Sequence, residues 1–325
     1  MRRVLALSIV LLVVLSMADL VVYTYDSMVS GLGKVVSEVF EEIYGVKVKM
    51  VSFGDAGKTL ARLILEGEKT KADVILGLDQ TLLLKAKKAG ILEPYRPLNY
   101  GKIRKDLLPK DFCATPFDYG SIAIVYNTEA VENPPKSLKD LLDPRFRRRI
   151  VVEDPRTSST GLSFLLWTIA AFGDGYRDYW RKLSRNLLTV TAGWDEAFEM
   201  LEKGEADMMV SYLTDGAYSY YYYKSAKFLP TVMEEGMFVQ VEYVGVVKYS
   251  KQKELAKRFV EVMLSDTVQK AIPLNQWMFP VVDVELPEVF EKYVPKVDKI
   301  LILDPQEVSR KLDEWIKGWE EAMGM

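Results

Sequence analysis

The chain of 325 residues contains no histidine and only one cysteine, Cys113. The lack of histidine excludes a Ser-His-Asp catalytic triad, histidine general bases and most zinc or copper sites. A single cysteine excludes an intramolecular disulfide and a cysteine-cluster metal site. Any catalysis would therefore depend on Asp, Glu, Lys, Tyr or Cys113, and we expect neither a cofactor nor a metal.

A surplus of basic charge is also lacking, because 43 Lys and Arg residues stand against 46 Asp and Glu residues. Nucleic-acid binding requires a positively charged face, so we expect no nucleic-acid partner. The chain has instead 18 Tyr and 6 Trp residues and a net charge of −3. Aromatic rings together with acidic groups favour a cationic or aromatic small molecule as the ligand.

An apolar run at the N-terminus, residues 4–15, follows Arg2 and Arg3 and precedes the small residues Ser16 and Ala18. This order predicts an export signal that is cleaved near Ala18. The run is shorter than the roughly 20 residues that span a bilayer, and an uncleaved membrane tether is the alternative. We therefore expect an exported protein, in the periplasm or at the outer face of the cell membrane.

Predicted strands and helices alternate in the first part of the chain. The spacing of apolar residues predicts strands at Leu20–Thr24, residues 46–51 and residues 72–76, each followed by a helix. This βαβαβα order predicts a parallel sheet covered by helices. Because ligands bind at the carboxyl ends of such strands, candidate site residues are those that follow the strands, at 25–27, 54–57 and 77–79.

A second α/β series begins after an extended stretch at residues 121–126, and it ends at another extended stretch, residues 238–247. The simplest assembly is two α/β lobes joined by these two crossings, with the strand ends of both lobes facing one cleft. We expect such a protein to be a monomer. The predicted boundaries are 1–18 for the signal, 19–116 with 245–325 for lobe 1, and 117–244 for lobe 2.

Hydroxyl residues fill the segment from Thr157 to Thr160, between a predicted strand at Val151 and a helix whose apolar residues begin at Leu162. Hydroxyl side chains at this position cap a helix N-terminus. The free N–H groups and partial positive charge of that terminus also attract anions. The segment is therefore either a capped helix only or the seat of a phosphate group.

Four aromatic residues lie where strand ends or loops would present them, namely Tyr25, Trp194, Tyr218 and Trp277. Each alone is more typical of a core or rim position. Together with Asp55 and the hydroxyl segment they predict one site, because each aromatic face attracts a delocalised cation by about 0.5–2 kcal/mol. The residues thus favour a heteroaromatic cation that carries a phosphate.

Several segments, in order along almost the whole chain after the signal, resemble those of one family. They are VYTYDSM (22–28), KADVILGLD (71–79), PFDYG (116–120), EDPRTSSTGLSFLLW (153–167), TVTAGWDEA (189–197), ADMMVSYLTDGAY (206–218), QVEY (240–243) and AIPLNQWMFPV (271–281). Through them the chain resembles the periplasmic thiamine-binding proteins of ABC importers, within the iron, thiamine and putrescine cluster of solute-binding proteins. The resemblance implies an α/β, two-lobed periplasmic-binding-protein fold of type II.

The resemblance also implies a role for each aromatic candidate. Tyr25 and Trp277 would flank the rings of the ligand. Trp194 and Tyr218 would close over the thiazolium side of the ligand, and Tyr212 would lie near its phosphate.

The polar candidates would bind the two ends of the ligand. Asp55, followed by Ala56, would face the aminopyrimidine end or the hydroxyl region, and a phosphate ester would be received by Thr157, Ser158 and Ser159. The chain departs from the family where Ala56 replaces a common glycine, which then follows at Gly57, and where Thr160 replaces a common proline. The first departure bears on the backbone approach near Asp55, and the second adds a hydrogen-bond donor at the anion site.

By this resemblance the ligand would be thiamine, its monophosphate or its diphosphate, bound without chemistry. The ligand would bridge the lobes and stabilise the closed form. The closed protein would then dock on the membrane permease of an ABC importer, which a separate ATPase drives. The absence of a GxxxxGK[ST] phosphate loop from the sequence fits that division.

Three alternatives stay open. A thiaminase-like enzyme would use Cys113 as the nucleophile and Glu242 as the base. A ferric-ion-binding protein would use the adjacent tyrosines from Tyr220 to Tyr223, with Asp215 or Glu242. A polyamine-binding protein is the third, although it leaves the hydroxyl segment unexplained.

Overall fold

The computed structural model describes residues 18–108 and 111–325. The predicted signal, apart from its last residue, therefore lies outside the described residues. Within the described ranges, no helix is both long enough and apolar enough to cross a lipid bilayer.

Strands form where β-branched and other apolar residues lie on short segments, as in LVVYT at the first strand. In chain order the strands are β1 (Leu20–Thr24), β2 (Val48–Ser52), β3 (Val74–Asp79), β4 (Leu92–Glu93), β5 (Thr115–Asn127), β6 (Ile150–Glu153), β7 (Leu187–Thr191), β8 (Met208–Tyr212), β9 (Phe228–Pro230), β10 (Met237–Val247), β11 (Phe279–Pro280) and β12 (Ile300–Leu301).

Helices connect these strands and cover the sheet. They are α1 (Asp26–Ser30), α2 (Leu32–Tyr44), α3 (Ala56–Glu66), α4 (Gln80–Ala89), α5 (Ser159–Phe172), α6 (Tyr176–Leu183), α7 (Trp194–Glu202), α8 (Asp215–Tyr223), α9 (Lys253–Met263), α10 (Asp266–Asn275), α11 (Glu288–Tyr293) and α12 (Pro305–Met323). Each parallel strand is followed by a helix at its carboxyl end. In α/β proteins the ligand site is formed by these carboxyl ends and the loops that follow them.

The strands form one continuous sheet with the order β2-β1-β3-β10-β5-β8-β6-β7. β1 pairs in parallel with β2 and β3, and β6 pairs in parallel with β7 and β8. The long strands β5 and β10 lie between these two groups, antiparallel to each other, and are the two crossings. We call the group around β1 lobe 1 and the group around β6 lobe 2; the residue boundaries drawn from the sequence stay a prediction.

Local signals in the sequence place several helix ends correctly. Gly45 ends α2 in the left-handed conformation, with φ of 66°. The carboxylate of Asp79 caps α4 by accepting hydrogen bonds from the N–H groups two and three residues later, at 2.7 and 2.6 Å. Ser137 and Asp140 form the predicted capping box, which starts a 3-10 helix at Leu138–Leu142.

A few details differ from the predictions. The sequence predicts a loop at residues 275–280, but Phe279–Pro280 pairs with β5 as a short edge strand, where a proline is tolerated because no N–H is needed. Ile43 and Ile64 continue the apolar spacing of α2 and α3 and would therefore be expected on inward faces, but they are 57% and 40% exposed. Ile43 lies in the last turn of α2, and Ile64 points about 100° away from the buried Leu63 beside it.

The last helix contacts both lobes. Trp319 of α12 packs edge-on against Trp180 of α6, with ring centroids 6.0 Å apart. Arg156 lies over the Trp319 ring and forms an ion pair of 2.9 Å with Glu320. Since α12 also contacts α4 of lobe 1, the helix that the sequence assigns to lobe 1 has neighbours on both sides of the crossings.

Candidate functional site

A cavity of about 400 Å³ lies between the two lobes. Aromatic rings from both lobes form much of its wall: Tyr25, Trp194, Phe198, Tyr212, Tyr218, Tyr222 and Trp277. Four carboxyl groups also line it: Asp55, Asp195, Asp215 and Glu242. Among the described residues that line the cavity there is no lysine or arginine, so the cavity favours a cation over an anion.

The structure brings most of the predicted site residues together. Those that line the cavity are Tyr25, Asp55, Ser159, Trp194, Tyr212, Tyr218 and Trp277. Ala56, Thr157 and Ser158 are not among the lining residues. Ala56 is buried as the first residue of α3, and the other two hydroxyl groups have partners within the protein, as described next.

The N-terminus of α5 is not an open anion seat. The Ser158 hydroxyl caps α5 by accepting a hydrogen bond from the Gly161 N–H at 3.3 Å, and the Thr157 hydroxyl donates to the Ala192 carbonyl at 2.7 Å. Hydroxyl groups commonly bond to nearby backbone in this way. A role for these two hydroxyl groups in phosphate binding therefore stays a prediction. The Asp55 carboxylate already lies beside Ser158 and Ser159 at the start of α5.

Asp55 connects the two lobes through its carboxylate. One oxygen accepts from the Ala56 N–H at 2.5 Å and so caps α3, while the other accepts from the Trp194 N–H of lobe 2 at 3.1 Å. Burial raises the pKa of Asp55, and hydrogen bonds from Ala56, the Ser158 hydroxyl, Trp194 and the Ser159 N–H oppose that rise. The start of α5 therefore receives an anion from the chain itself.

Glycines allow this close contact between lobes. A Cβ atom at Gly193 would lie 3.0 Å from the Asp55 side chain, and one at Gly57 would lie 2.6 Å from the Thr157 carbonyl oxygen. The Lys58 N–H donates to that same carbonyl at 3.3 Å. The backbones of the two lobes meet at Gly57, and a side chain would not fit there. The family pattern places a glycine one residue earlier, at the position of Ala56.

The aromatic wall is assembled from both lobes. Trp194 stacks on Phe198 with ring centroids 4.8 Å apart, and its Nε1 donates to the Ser211 hydroxyl at 2.9 Å. Trp277, in the left-handed region with φ of 59°, meets the Tyr218 ring edge-on at 5.1 Å. Because Tyr218 lies on α8 of lobe 2 and Trp277 follows α10, this ring pair closes one side of the cavity.

Tyr25 is fixed at the inner end of the cavity. Its hydroxyl donates to Glu242 at 2.7 Å and accepts a hydrogen bond from the Gln276 amide. Its ring covers Gly77, where a Cβ atom would lie 2.1 Å from a ring carbon and where φ is 92°. Only glycine fits that position, so the strand end of β3 is shaped to receive the ring.

Several cavity residues were not predicted from the sequence as ligand contacts of the thiamine site. Phe198 and Asp195 lie on α7 next to Trp194 in the cavity wall, and the helical spacing of four between Trp194 and Phe198 is a signal that identifies the second ring. Glu242 and Asp215 appeared only in the alternatives. Their burial raises the pKa of each carboxyl to about 7.

The geometry does not assemble the alternative enzyme site. Glu242 lines the cavity, whereas Cys113 is not among the lining residues. Burial and the nearby Asp111 raise the pKa of the Cys113 thiol, which lowers the fraction of reactive thiolate.

The four consecutive tyrosines have different neighbours and do not converge. Tyr220 stacks on Tyr293 at 3.6 Å, Tyr222 lines the cavity, and Tyr223 donates a hydrogen bond to Glu202. Within the described residues, no group of three or more acidic or cysteine side chains is arranged to hold a metal ion. The ferric-ion alternative therefore has no preassembled tyrosine site.

A family model described as bacterial extracellular solute-binding protein matches residues 69–308. The chain belongs to this family. It is 39% identical over 311 residues to the thiamine-binding periplasmic protein of Escherichia coli K12, an alignment that covers 94% of this chain and 93% of that protein. The thiamine-binding periplasmic protein of Brucella melitensis is 38% identical over 307 residues, which cover 93% of this chain and 91% of that protein.

A solved structure of a periplasmic thiamin binding protein is 39% identical, with a TM-score of 0.90 and coverage of 94% of this chain and 96% of that one. The solute-binding family and the two-lobed α/β fold predicted from the sequence are thus confirmed. The individual ligand contacts stay predictions, because the similarity concerns the chain and not each side chain.

Proposed function

We propose that this solute-binding protein captures thiamine outside the cytoplasm and delivers it to the membrane permease of an ABC importer. One observation carries the proposal: the cavity between the lobes is walled by aromatic rings and carries four carboxyl groups without a lining lysine or arginine among the described residues. The names of the similar proteins support the same ligand.

The chemistry of thiamine fits this cavity. Its thiazolium is a permanent, delocalised cation, and each aromatic face contributes about 0.5–2 kcal/mol to holding such a group. Its aminopyrimidine presents donors and acceptors that suit Asp55 and the hydroxyl of Ser159, both of which line the cavity. The volume of about 400 Å³ lies within the usual range of small-molecule sites, about 300–1,000 Å³.

The phosphate esters of thiamine would bind through the start of α5. They would compete there with the Asp55 carboxylate, which accepts from Trp194, Ser158 and Ser159. We therefore propose thiamine as the preferred ligand, with the monophosphate and diphosphate as weaker ones.

In this proposal the protein binds and releases its ligand without a reaction, a cofactor or a metal, and it acts as a monomer. Export to the periplasm, or to the outer face of the membrane, is supported by the leader sequence and by the periplasmic names of the similar proteins.

Isothermal titration calorimetry with thiamine, its monophosphate, its diphosphate and putrescine tests the proposal. We expect one thiamine per chain with Kd below about 1 µM, which corresponds to about −8 kcal/mol, and weaker binding of both esters. Tight putrescine binding without thiamine binding would overturn the proposal. Release of the free thiazole from thiamine, with the pyrimidine joined to an added nucleophile, would instead support the enzyme alternative.

A further inference from the structure

Three carboxyl groups lie side by side across the middle of the sheet. Glu242 of the crossing strand β10 is directly opposite Asp118 of β5 on one side and Asp79 of β3 on the other. All are buried, with Asp118 and Asp79 at 0% exposure and Glu242 at 3%. Glu242 lines the cavity, whereas its two carboxyl neighbours do not.

The ionisable groups that face Glu242 are acidic or phenolic. Around it lie Asp118 on β5, Asp79 on β3, Tyr25 after β1, Asp55 before α3, and Tyr212 on β8, which is joined to it through Gln240. The Tyr25 hydroxyl and the Gln240 amide donate to the Glu242 carboxyl at 2.7 and 3.3 Å. Lys85 acts on Asp79, and the largest influences on the pKa of Glu242 are burial and the acidic or phenolic groups Tyr25, Asp79, Asp55 and Asp118.

Asp118 is a buried carboxyl whose polar neighbour is Glu242. Neither of its carboxyl oxygens has a hydrogen-bond partner elsewhere in the described part of the chain, and the side chain faces Glu242 across the strand pair. Two carboxyl groups that are cross-strand neighbours in a buried site do not both ionise readily. Burial and the charge of Glu242 raise the pKa of Asp118 well above its ordinary value, and burial raises that of Glu242 to about 7.

We propose that Asp118 and Glu242 form a proton-sharing pair whose ionisation is coupled to the arrival of a cationic ligand in the cavity. The proposal rests on the proposed function and deepens it, because it identifies the counter-charge for the ligand. The permanent cation stabilises the Glu242 carboxylate, and the proton that Glu242 carried passes to the solvent. Glu242 is thereby the residue that selects a cation over an uncharged ring system of the same shape.

The sign of the pH dependence follows from this exchange. Below the pKa of Glu242 in the free protein the ligand must displace a proton, so its affinity falls by up to about tenfold for each pH unit. Above that pKa the carboxylate is already ionised and the affinity becomes constant. In the range from about pH 6 to about pH 8.5 we therefore expect the Kd of thiamine to decrease and then level off.

Calorimetry at pH 7 in two buffers of different ionisation enthalpy measures the released proton directly. The wild type should release a fraction of a proton for each thiamine bound. In Glu242→Gln the release should be largely lost and the Kd should rise at least about tenfold, because the cation has lost its counter-charge. In Asp118→Asn the affinity at pH 8.5 should be kept and should fall toward pH 6 as in the wild type, because burial, and not Asp118, raises the pKa of Glu242.

Opposite outcomes in the two isosteric variants separate this role from a structural one, since a loss of fold would weaken binding in both. Asp215→Asn removes the other lining carboxyl whose pKa is about 7, so the proton release that persists in this variant is the share of Glu242. Deazathiamine, an uncharged analogue, should bind with no release that depends on Glu242.

The possible failures are distinguishable. If thiamine does not bind at any pH, the proposed function fails. If thiamine binds with constant affinity across this pH range and without proton release in the wild type, the function stands and the coupled pair is refuted. Equal losses of affinity in Glu242→Gln and Asp118→Asn at pH 8.5 also refute it.

Discussion

The carboxylate of Asp55 should hold the two lobes together, and Asp55→Ala tests this contact. Across the cleft it accepts a hydrogen bond from the Trp194 N–H at 3.1 Å, and Ser158 and Ser159 of lobe 2 also lower its pKa. Only its bond from the Ala56 N–H lies within lobe 1 and survives opening. Removal of the side chain therefore weakens the closed form much more than the open form.

The magnitude can be estimated from these contacts. A hydrogen bond to a charged group contributes about 1.5–3 kcal/mol, and part of this is offset by the burial that raises the pKa of Asp55. A net loss of about 2–3 kcal/mol for the contacts of Asp55 with lobe 2 corresponds to a factor of about 30–160 in the closed-to-open equilibrium. A closed population that dominates in the wild type would then become a minor one.

Small-angle X-ray scattering of the unliganded protein measures the change. We expect a larger radius of gyration for Asp55→Ala than for the wild type, and recovery of the smaller value at saturating thiamine. Asp79→Ala is the matched control, because that carboxylate also caps a helix but accepts within lobe 1 only, from Thr81 and Leu82. Identical scattering from Asp55→Ala and the wild type would refute the reasoning.

Three further changes have expected outcomes. Trp277→Ala removes a ring that contacts Tyr218 and should weaken thiamine binding at least about tenfold by calorimetry; an unchanged Kd excludes Trp277 from the site. Gly77→Ala places a Cβ atom 2.1 Å from the Tyr25 ring at a positive φ and should lower the free energy of unfolding, measured by urea denaturation, by about 2–4 kcal/mol. Gly101→Ala, in open space, should leave it unchanged. The unliganded protein should melt at a lower temperature at about pH 8 than at about pH 5. The folded-state pKa values of Glu242, Asp215 and Asp195 are raised, so the unfolded chain loses these protons at a lower pH than the folded one. A melting temperature that rises over this range contradicts the prediction.

The sequence predicts the fold well because its hydrophobic pattern is local. The spacing of apolar residues identifies the βαβαβα order, and caps such as Asp79 and Gly45 mark helix ends within two or three residues. Strand ends in a parallel sheet meet at one edge, which is sufficient to bring Tyr25, Trp194 and Tyr218 to one cavity.

What the sequence does not predict depends on contacts between distant segments. Asp55 and Trp194 are 139 residues apart, and their hydrogen bond exists only because two glycine-containing loops meet across the cleft. The hydroxyls of Thr157 and Ser158 look available in the sequence, but the first donates to the Ala192 carbonyl 35 residues away and the second accepts from the Gly161 N–H. Helix periodicity alone cannot reveal which partner such a group chooses.

The register of the two crossing strands is the other feature that composition cannot provide. A shift of one residue would turn Glu242 away from the cavity and from Asp118, because side chains alternate between the faces of a sheet. With the observed register, Asp79, Glu242 and Asp118 lie in one row. Because the folded-state pKa values of these groups are raised, the unliganded fold becomes less stable as the pH rises. A bound cation offsets that loss by stabilising the carboxylate, so the increase in melting temperature caused by thiamine should grow over the same pH range in which the unliganded protein loses stability. The two trends have a common origin in one buried row of acids, and Glu242→Gln should diminish both together.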